Sequence, residues 1–210
     1  MKPRNESARF GIVLYDGVEP IDVGGTVGVL SMARRILPLL NHVVLARTAG
    51  PVTLASGLVT IATHGLDEAP ECDVHIVCGG PGWPDAAQDP IMQRFLRGLA
   101  PERTASVCTG AMILAAAGVL EGRQATTRRH AAGAEPDAPL SLLGRSGTIR
   151  ATPAAIVDDI VVTGGGVSLA IDATLYLIGR TYDRGAQDEV ARMIEYDRAY
   201  AANSAALGIV

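Results

Sequence analysis

The sequence predicts an α/β fold built on a mostly parallel sheet. Three observations point there. Apolar runs such as Phe10–Tyr15 and Asp73–Cys78 stop at Gly-containing turns, as strands buried on both faces do. Stretches with helical spacing alternate with those runs along the chain. And Thr104–Gly118 reads as a strand passing straight into a helix, with Cys108 as a one-residue corner.

Taken in order, Met1–Ala8 is polar and reads as a loose terminus. Phe10–Tyr15 is a buried strand closed by Asp16-Gly17. Pro20 stands where a helix would begin, and Ile21–Leu37 carries apolar residues at mixed helical spacings until Pro38 ends it. His42–Arg47 is the next strand. Val52–Leu54 and Leu58–Ala62, joined through Ser56-Gly57, predict a hairpin on the sheet edge. Asp73–Cys78 is a buried strand followed by Gly79-Gly80-Pro81-Gly82. A helix runs from about Pro84 or Asp89 to Leu99. The corner at Cys108 comes next. Gly122–Arg150 is polar and Pro-rich, with a short helix and loops expected and a short strand near Thr148–Thr152. Ile160–Thr163 is a strand stopped by Gly164-Gly165-Gly166. Val167–Thr181 is apolar almost all round and reads as a buried helix; Ala186–Tyr196 is amphipathic. Ala201–Val210 has no strong pattern. No repeat or linker divides the chain, so residues 1–210 are expected to form one domain.

With 210 residues, 48% of them hydrophobic, the chain is long enough for a well-filled core. A net charge of -4 and the lack of any large basic cluster give no footprint for nucleic acid. No apolar run approaches the ~20 residues of a membrane span. The polar N-terminus lacks an apolar signal core. The cysteines, at 72, 78 and 108, are odd in number, form no CxxC and have no His at ligand spacing. Neither a disulfide framework nor a metal site is expected, and no cofactor. Reduced thiols suit a cytoplasmic location.

In parallel α/β sheets ligands bind beyond the carboxyl ends of the strands. Asp16, Glu19 and Asp22 follow the first strand, Gly79 and Gly80 follow Asp73–Cys78, Cys108 follows Thr104–Val107, and three glycines follow Ile160–Thr163. A thiol, carboxylates and Gly-rich backbone therefore gather at one edge. A corner residue between strand and helix is held in a strained turn with its side chain pushed outward, and small neighbours such as Thr109, Gly110 and Ala111 let the turn close. A following helix N-terminus would favour the thiolate. Cys108 is thus a candidate low-pKa nucleophile, with a buried structural cysteine as the alternative.

Ser106-Val-Cys-Thr-Gly-Ala, followed by Ala116-Ala-Gly-Val-Leu-Glu-Gly-Arg-Gln-Ala-Thr-Thr127, resembles the ThiJ/PfpI superfamily, and more narrowly its isocyanide hydratase branch. Gly11–Tyr15 with Ile21-Asp-Val-Gly24, the Gly79–Gly82 turn and Thr163–Asp172 extend the resemblance over about Phe10–Tyr196. It implies a flavodoxin-like three-layer sandwich of the class I glutamine amidotransferase type, usually a homodimer acting on a small molecule. It implies Cys108 as nucleophile, selects Asp22 among the three acids, and has the amides of Gly79, Gly80 and Thr109 face the substrate. Val167, after the three glycines, joins the substrate pocket.

Three departures stand out. Cys78 replaces the proline that usually opens the Gly-Gly turn. Arg128-Arg129 stand where the hydratases carry His-Trp, so the partner His of other branches is missing, and His130 is out of register. Many relatives of this type are sensor domains fused to an AraC-type helix-turn-helix pair, and no such module follows Tyr196. Arg128-Arg129 read as a solvated pair or a modifier of the pocket mouth. Cys78 reads as core filling at a strand end, Cys72 as without a role, and Asp172 as a buried acid capping a neighbouring loop. The resemblance favours a hydratase giving an N-substituted formamide. The alternatives are a glyoxalase or deglycase with the same nucleophile, and a redox or ligand sensor in which Cys78 resolves an oxidised Cys108.

Overall fold

Apolar residues on both faces of the first strand place it at the centre of the sheet. In the computed structural model, which describes residues 1–210, β1 (Ala8–Val13) is buried along nearly its whole length and pairs in parallel with β2 (Leu40–Ala46) on one side and β6 (Val74–Val77) on the other. β7 (Thr104–Val107) follows β6, and β11 (Val161–Gly164) follows β7, all parallel. β10 (Ile156–Asp159) closes one edge antiparallel to β11, and β5 (His64–Gly65) closes the other beside β2. The resulting order, β10-β11-β7-β6-β1-β2-β5, is the flavodoxin-like winding that reverses between β1 and β6.

Helices cover both faces. α1 (Pro20–Ala33) packs on α6 (Ala170–Thr181), which packs on α7 (Arg184–Met193). α2 (Trp83–Gln88) and α3 (Pro90–Gly98) pack with α4 (Gly110–Ala116). The expected α/β three-layer sandwich with a mostly parallel sheet is therefore what forms. α5 (Pro139–Gly144) and the short parallel pair β8 (Gln124–Ala125) and β9 (Arg150–Ala151) fill the stretch expected to hold a short helix and loops.

Several elements differ from expectation for identifiable reasons. The hairpin β3 (Gly50–Thr53) and β4 (Val59–Ala62) forms, but as its own two-stranded sheet, because β5 already occupies the edge of β2. It is tied instead to the turn after β1: Gly17 N–H donates to Thr53 O at 2.8 Å, Ala55 N–H to Val18 O at 2.9 Å, and Thr53 N–H to Asp16 Oδ1 at 2.8 Å. The helix expected to end at Leu99 is two helices. Asp89 precedes Pro90 and stays extended, where its carboxylate caps α3 through Ile91 N–H at 2.9 Å. α6 begins at Ala170, so Val167 lies in the turn before it. The N-terminus is not loose: Lys2 N–H donates to Thr181 O at 2.7 Å, and Arg4 pairs with Asp183 and Glu189.

β10 and the last helix were not expected. β10 makes a tight antiparallel hairpin with β11 through Ile160 at φ 65°. α8 (Asp197–Leu207) is Ala-rich, with helix propensity but no apolar stripe, and only Tyr200 is buried. It is tied by Asp172 of α6, which accepts from Tyr196 OH at 2.9 Å and Asn203 Nδ2 at 3.2 Å. Asp172 is the buried acid expected, but it binds side chains rather than loop backbone. Beyond α8 the chain pairs alongside β10: Ala155 N–H donates to Gly208 O, Asp158 N–H to Val210 O and Val210 N–H to Ile156 O. No helix is long and apolar enough to cross a membrane.

Candidate active site

Cys108 sits between β7 and α4 with φ 52°, a left-handed conformation that a residue with a side chain adopts only when its surroundings enforce it. Its N–H donates to both Gly164 O and Gly165 O at 3.1 Å. Its carbonyl accepts from Thr127 Oγ1 at 2.6 Å. Thr126 N–H meets Thr163 Oγ1 at 2.9 Å, and Thr126 Oγ1 donates to Ala154 O at 3.1 Å. The Ala-Thr-Thr motif therefore clamps the corner from behind. Glycine is required where backbone closes in: a Cβ on Gly79 would lie 2.8 Å from Cys108 Cβ, and one on Gly166 would lie 2.6 Å from Cys108 Sγ.

Asp22, in the first turn of α1, points under the sheet edge and is fully buried. Gly79 N–H donates to its Oδ2 at 2.8 Å, while Oδ1 is buried without a partner. Cys108 is among the groups that act on this carboxyl. Burial pushes Asp22 up to about 8, against the opposing pull of the Gly79 N–H and Cys108. Burial, then the charge of Asp22, push Cys108 up to about 12, with the Thr109 N–H and Arg128 acting the other way. The expectation of a low-pKa thiol rested on the helix N-terminus alone. A site where Cys108 is 3% exposed beside an acid outweighs that dipole. The two groups are coupled, and a proton held by Asp22 removes the charge that opposes a thiolate.

The other expected residues divide. Thr109 is in place: Gly80 N–H donates to its Oγ1 at 2.8 Å, and the hydroxyl lies 3.3 Å from Gly80 O. The amides of Gly79 and Gly80 donate to Asp22 Oδ2 and Thr109 Oγ1 in this structure. Of the three amides, that of Thr109 is the one that favours the charged form of Cys108. Val167 and Gly80 line a pocket of about 630 Å³ that opens on Cys108 and Thr109. Glu19 lines it too, and precedes α1 without capping it. Cys78 is wholly buried as core, and all three cysteines are free thiols. His130 is exposed. No cluster of His, Cys, Asp and Glu has the makings of a metal site.

Sequence reasoning missed Tyr15 and Glu135, and gave Arg128 two readings of which the pocket-mouth one holds. Tyr15, at the carboxyl end of the first strand, has a buried hydroxyl without a partner in the neighbourhood of Asp22, Cys78, Cys108 and Thr109. A polar-tipped aromatic at that strand end was the available signal. Arg128 is not a solvated residue but part of the pocket wall, its side chain 14% exposed, and Glu135 joins it there.

A model of the DJ-1/PfpI family matches residues 8–179. The chain belongs to the DJ-1/PfpI family. Among its relatives is an isonitrile hydratase of Pseudomonas putida, 32% identical over 171 residues that cover 80% of this chain and 70% of the hydratase. The HTH-type transcriptional regulator GbdR of Pseudomonas aeruginosa is 28% identical over 202 residues, 93% of this chain but 53% of the regulator, so the chain spans about half of that protein. A THiJ/PfpI family protein from Pseudomonas syringae superposes with a TM-score of 0.77 at 26% identity, covering 93% of this chain and 77% of the other. The family includes enzymes that act on small molecules and domains of regulators.

Proposed function

We propose that this protein is an isocyanide hydratase-like lyase with Cys108 as nucleophile and Asp22 as proton donor. The observation that carries the reading is the buried Asp22 carboxyl, anchored by Gly79 through one oxygen and unpartnered at the other, which acts on Cys108 in the lining of a pocket. Similarity to an isonitrile hydratase supports it.

An isocyanide offers a terminal carbon to a nucleophile. The Cys108 thiolate adds there while Asp22 delivers its proton to the same carbon, giving a thioimidate, R–N=CH–S–Cys. Asp22, now a carboxylate, takes a proton from water, whose oxygen adds to that carbon. Asp22 passes that proton to nitrogen, takes the hydroxyl proton as the adduct collapses, and the C–S bond breaks to release R–NH–CHO and the Cys108 thiolate. The sum is one isocyanide plus one water to one N-substituted formamide. An acid held near 8 is protonated at neutral pH yet able to ionise within the cycle. The test is incubation with cyclohexyl and aryl isocyanides, following formamide by chromatography; no turnover of any of them rejects the reading.

Likeness to the GbdR regulator favours one second reading, a ligand-sensing domain. Saturable binding of a small molecule in the pocket without turnover would select it. We also read residues 1–210 as one domain, the protein as cytoplasmic, and its working form as a homodimer. Ile21 of α1 and Leu58 and Ile61 of the hairpin are 55–62% exposed, and the hairpin is bound to the turn that leads into α1. Exposed apolar side chains of this size, gathered around one helix, suit a face shared with a second copy.

A further inference from the structure

Removal of the usual partner His leaves a question that the pocket wall answers. Thr127 is bolted to the carbonyl of Cys108, so the next residue, Arg128, is fixed relative to the sulfur. Arg128 and Cys108 border the same glycine: a Cβ on Gly166 would lie 2.6 Å from Cys108 Sγ and 3.1 Å from Arg128 Cβ. Both line the same pocket. The groups around the sulfur are Asp22 from α1, Tyr15 at the end of β1, Cys78 at the end of β6, and Arg128, with Glu19 and Glu135 in the pocket wall. Arg128 is the cation among them.

Arg128 is itself held. Nη2 donates to both carboxylate oxygens of Glu135, at 2.5 and 2.7 Å, Nη1 donates to His130 O, and Glu135 Oε2 also accepts from Ala132 N–H at 2.8 Å. A guanidinium stays charged at every working pH. In a wall where little water intervenes, its field on a neighbouring sulfur is screened weakly. Glu135 opposes that field.

We propose that Arg128 is the positioning cation that supports the Cys108 thiolate, and that Glu135 sets how much of its charge the sulfur feels. Arg128 thus stands in for the missing histidine by charge rather than by proton transfer. The inference rests on Cys108 being the reactive thiol and not on the identity of the substrate.

Two variants separate charge from scaffolding, because both break the ion pair. If the pair only straps the segment over the pocket, Arg128→Gln and Glu135→Gln disturb Cys108 in the same way. If Arg128 supports the thiolate, they act in opposite directions. The readout is the pH profile of Cys108 alkylation by iodoacetamide, located by peptide mass, with Cys108→Ser as control. The expected result is a rate about tenfold lower at neutral pH for Arg128→Gln, a profile displaced upward by about one pH unit, a downward displacement and faster alkylation for Glu135→Gln, and near-native behaviour for Arg128→Lys. Displacement of both Gln variants in the same direction, or an unmoved profile for either, overturns the proposal. Should Arg128→Gln fail to fold, the direction of Glu135→Gln and the behaviour of Arg128→Lys decide. Labelling that persists in Cys108→Ser would instead sink the nucleophile assignment, a separate failure.

Discussion

Asp22 is an acid kept where water does not reach it, and that placement has a thermodynamic signature. Burial holds its carboxyl at about 8 in the folded chain, well above the ordinary aspartate value of 3.8. Between those values the native state holds a proton that the unfolded state has released, so stability falls as pH rises from about 4 to about 8. Asp22→Asn removes this penalty while Asn Oδ1 can still accept from Gly79. The expected outcome is a higher Tm than the parent, with a gap that widens toward pH 8 and reaches on the order of a few kcal/mol. The same variant is expected to lose turnover and keep Cys108 open to alkylation, since an amide neither donates the proton nor activates water. Melting curves at several pH values and a formamide assay check both halves. A parent at least as stable as the variant at pH 8 would mean that Asp22 is not held protonated; near-native turnover would mean that the acid has no chemical role. Cys108 was legible because it stands at a place the chain marks locally, a strand-to-helix corner, whereas Asp22 stood out from Asp16 and Glu19 only through the family resemblance. The pairing of Arg128 with Glu135 was not legible, because it depends on how a Pro-rich stretch folds back over the pocket.

At the scale of elements, the central strands could be read from the sequence to within two or three residues, because burial on both faces leaves continuous apolar runs such as Ile12-Val13-Leu14. What could not be read depended on partners distant in sequence. Nothing in Gly50–Ala62 says that β5 has taken the edge of β2, and nothing in Ala201–Leu207 says that α8 will be held by one acid on α6. That tie yields a prediction. Tyr196 OH and Asn203 Nδ2 meet on Asp172, whose own acidity is weakened by burial. Tyr196→Phe leaves the carboxyl one donor short and is expected to destabilise the fold by about 1–2 kcal/mol, with no change in alkylation of Cys108. Denaturant unfolding beside the alkylation rate checks this, and loss of reactivity would mean that α8 supports the site.

For the whole molecule, the sheet winding was legible as a class, and with it the edge where the site lies, because parallel strands deliver their following turns to the same side. The winding reverses between β1 and β6, and the turns beyond those two strands contribute Asp22 and Gly79. The proposed homodimer belongs at this scale. Ile61→Glu places a charge in the exposed apolar face of the hairpin without touching the core, so light scattering is expected to show monomer where the parent shows dimer; a parent that is itself monomeric refutes the assembly. The backbone pairing of residues 208–210 with β10 has a different bearing. An open strand border is a template on which another chain can add, and growth by such addition leads to fibrils. Here the opposite border ends in a strand of two residues, and the border beyond β10 is covered by the chain's own tail. Solubility of the sheet is therefore vested partly in three residues with no part in its chemistry: a fusion that pulled Gly208–Val210 away would leave Cys108 intact and the protein prone to stack on copies of itself.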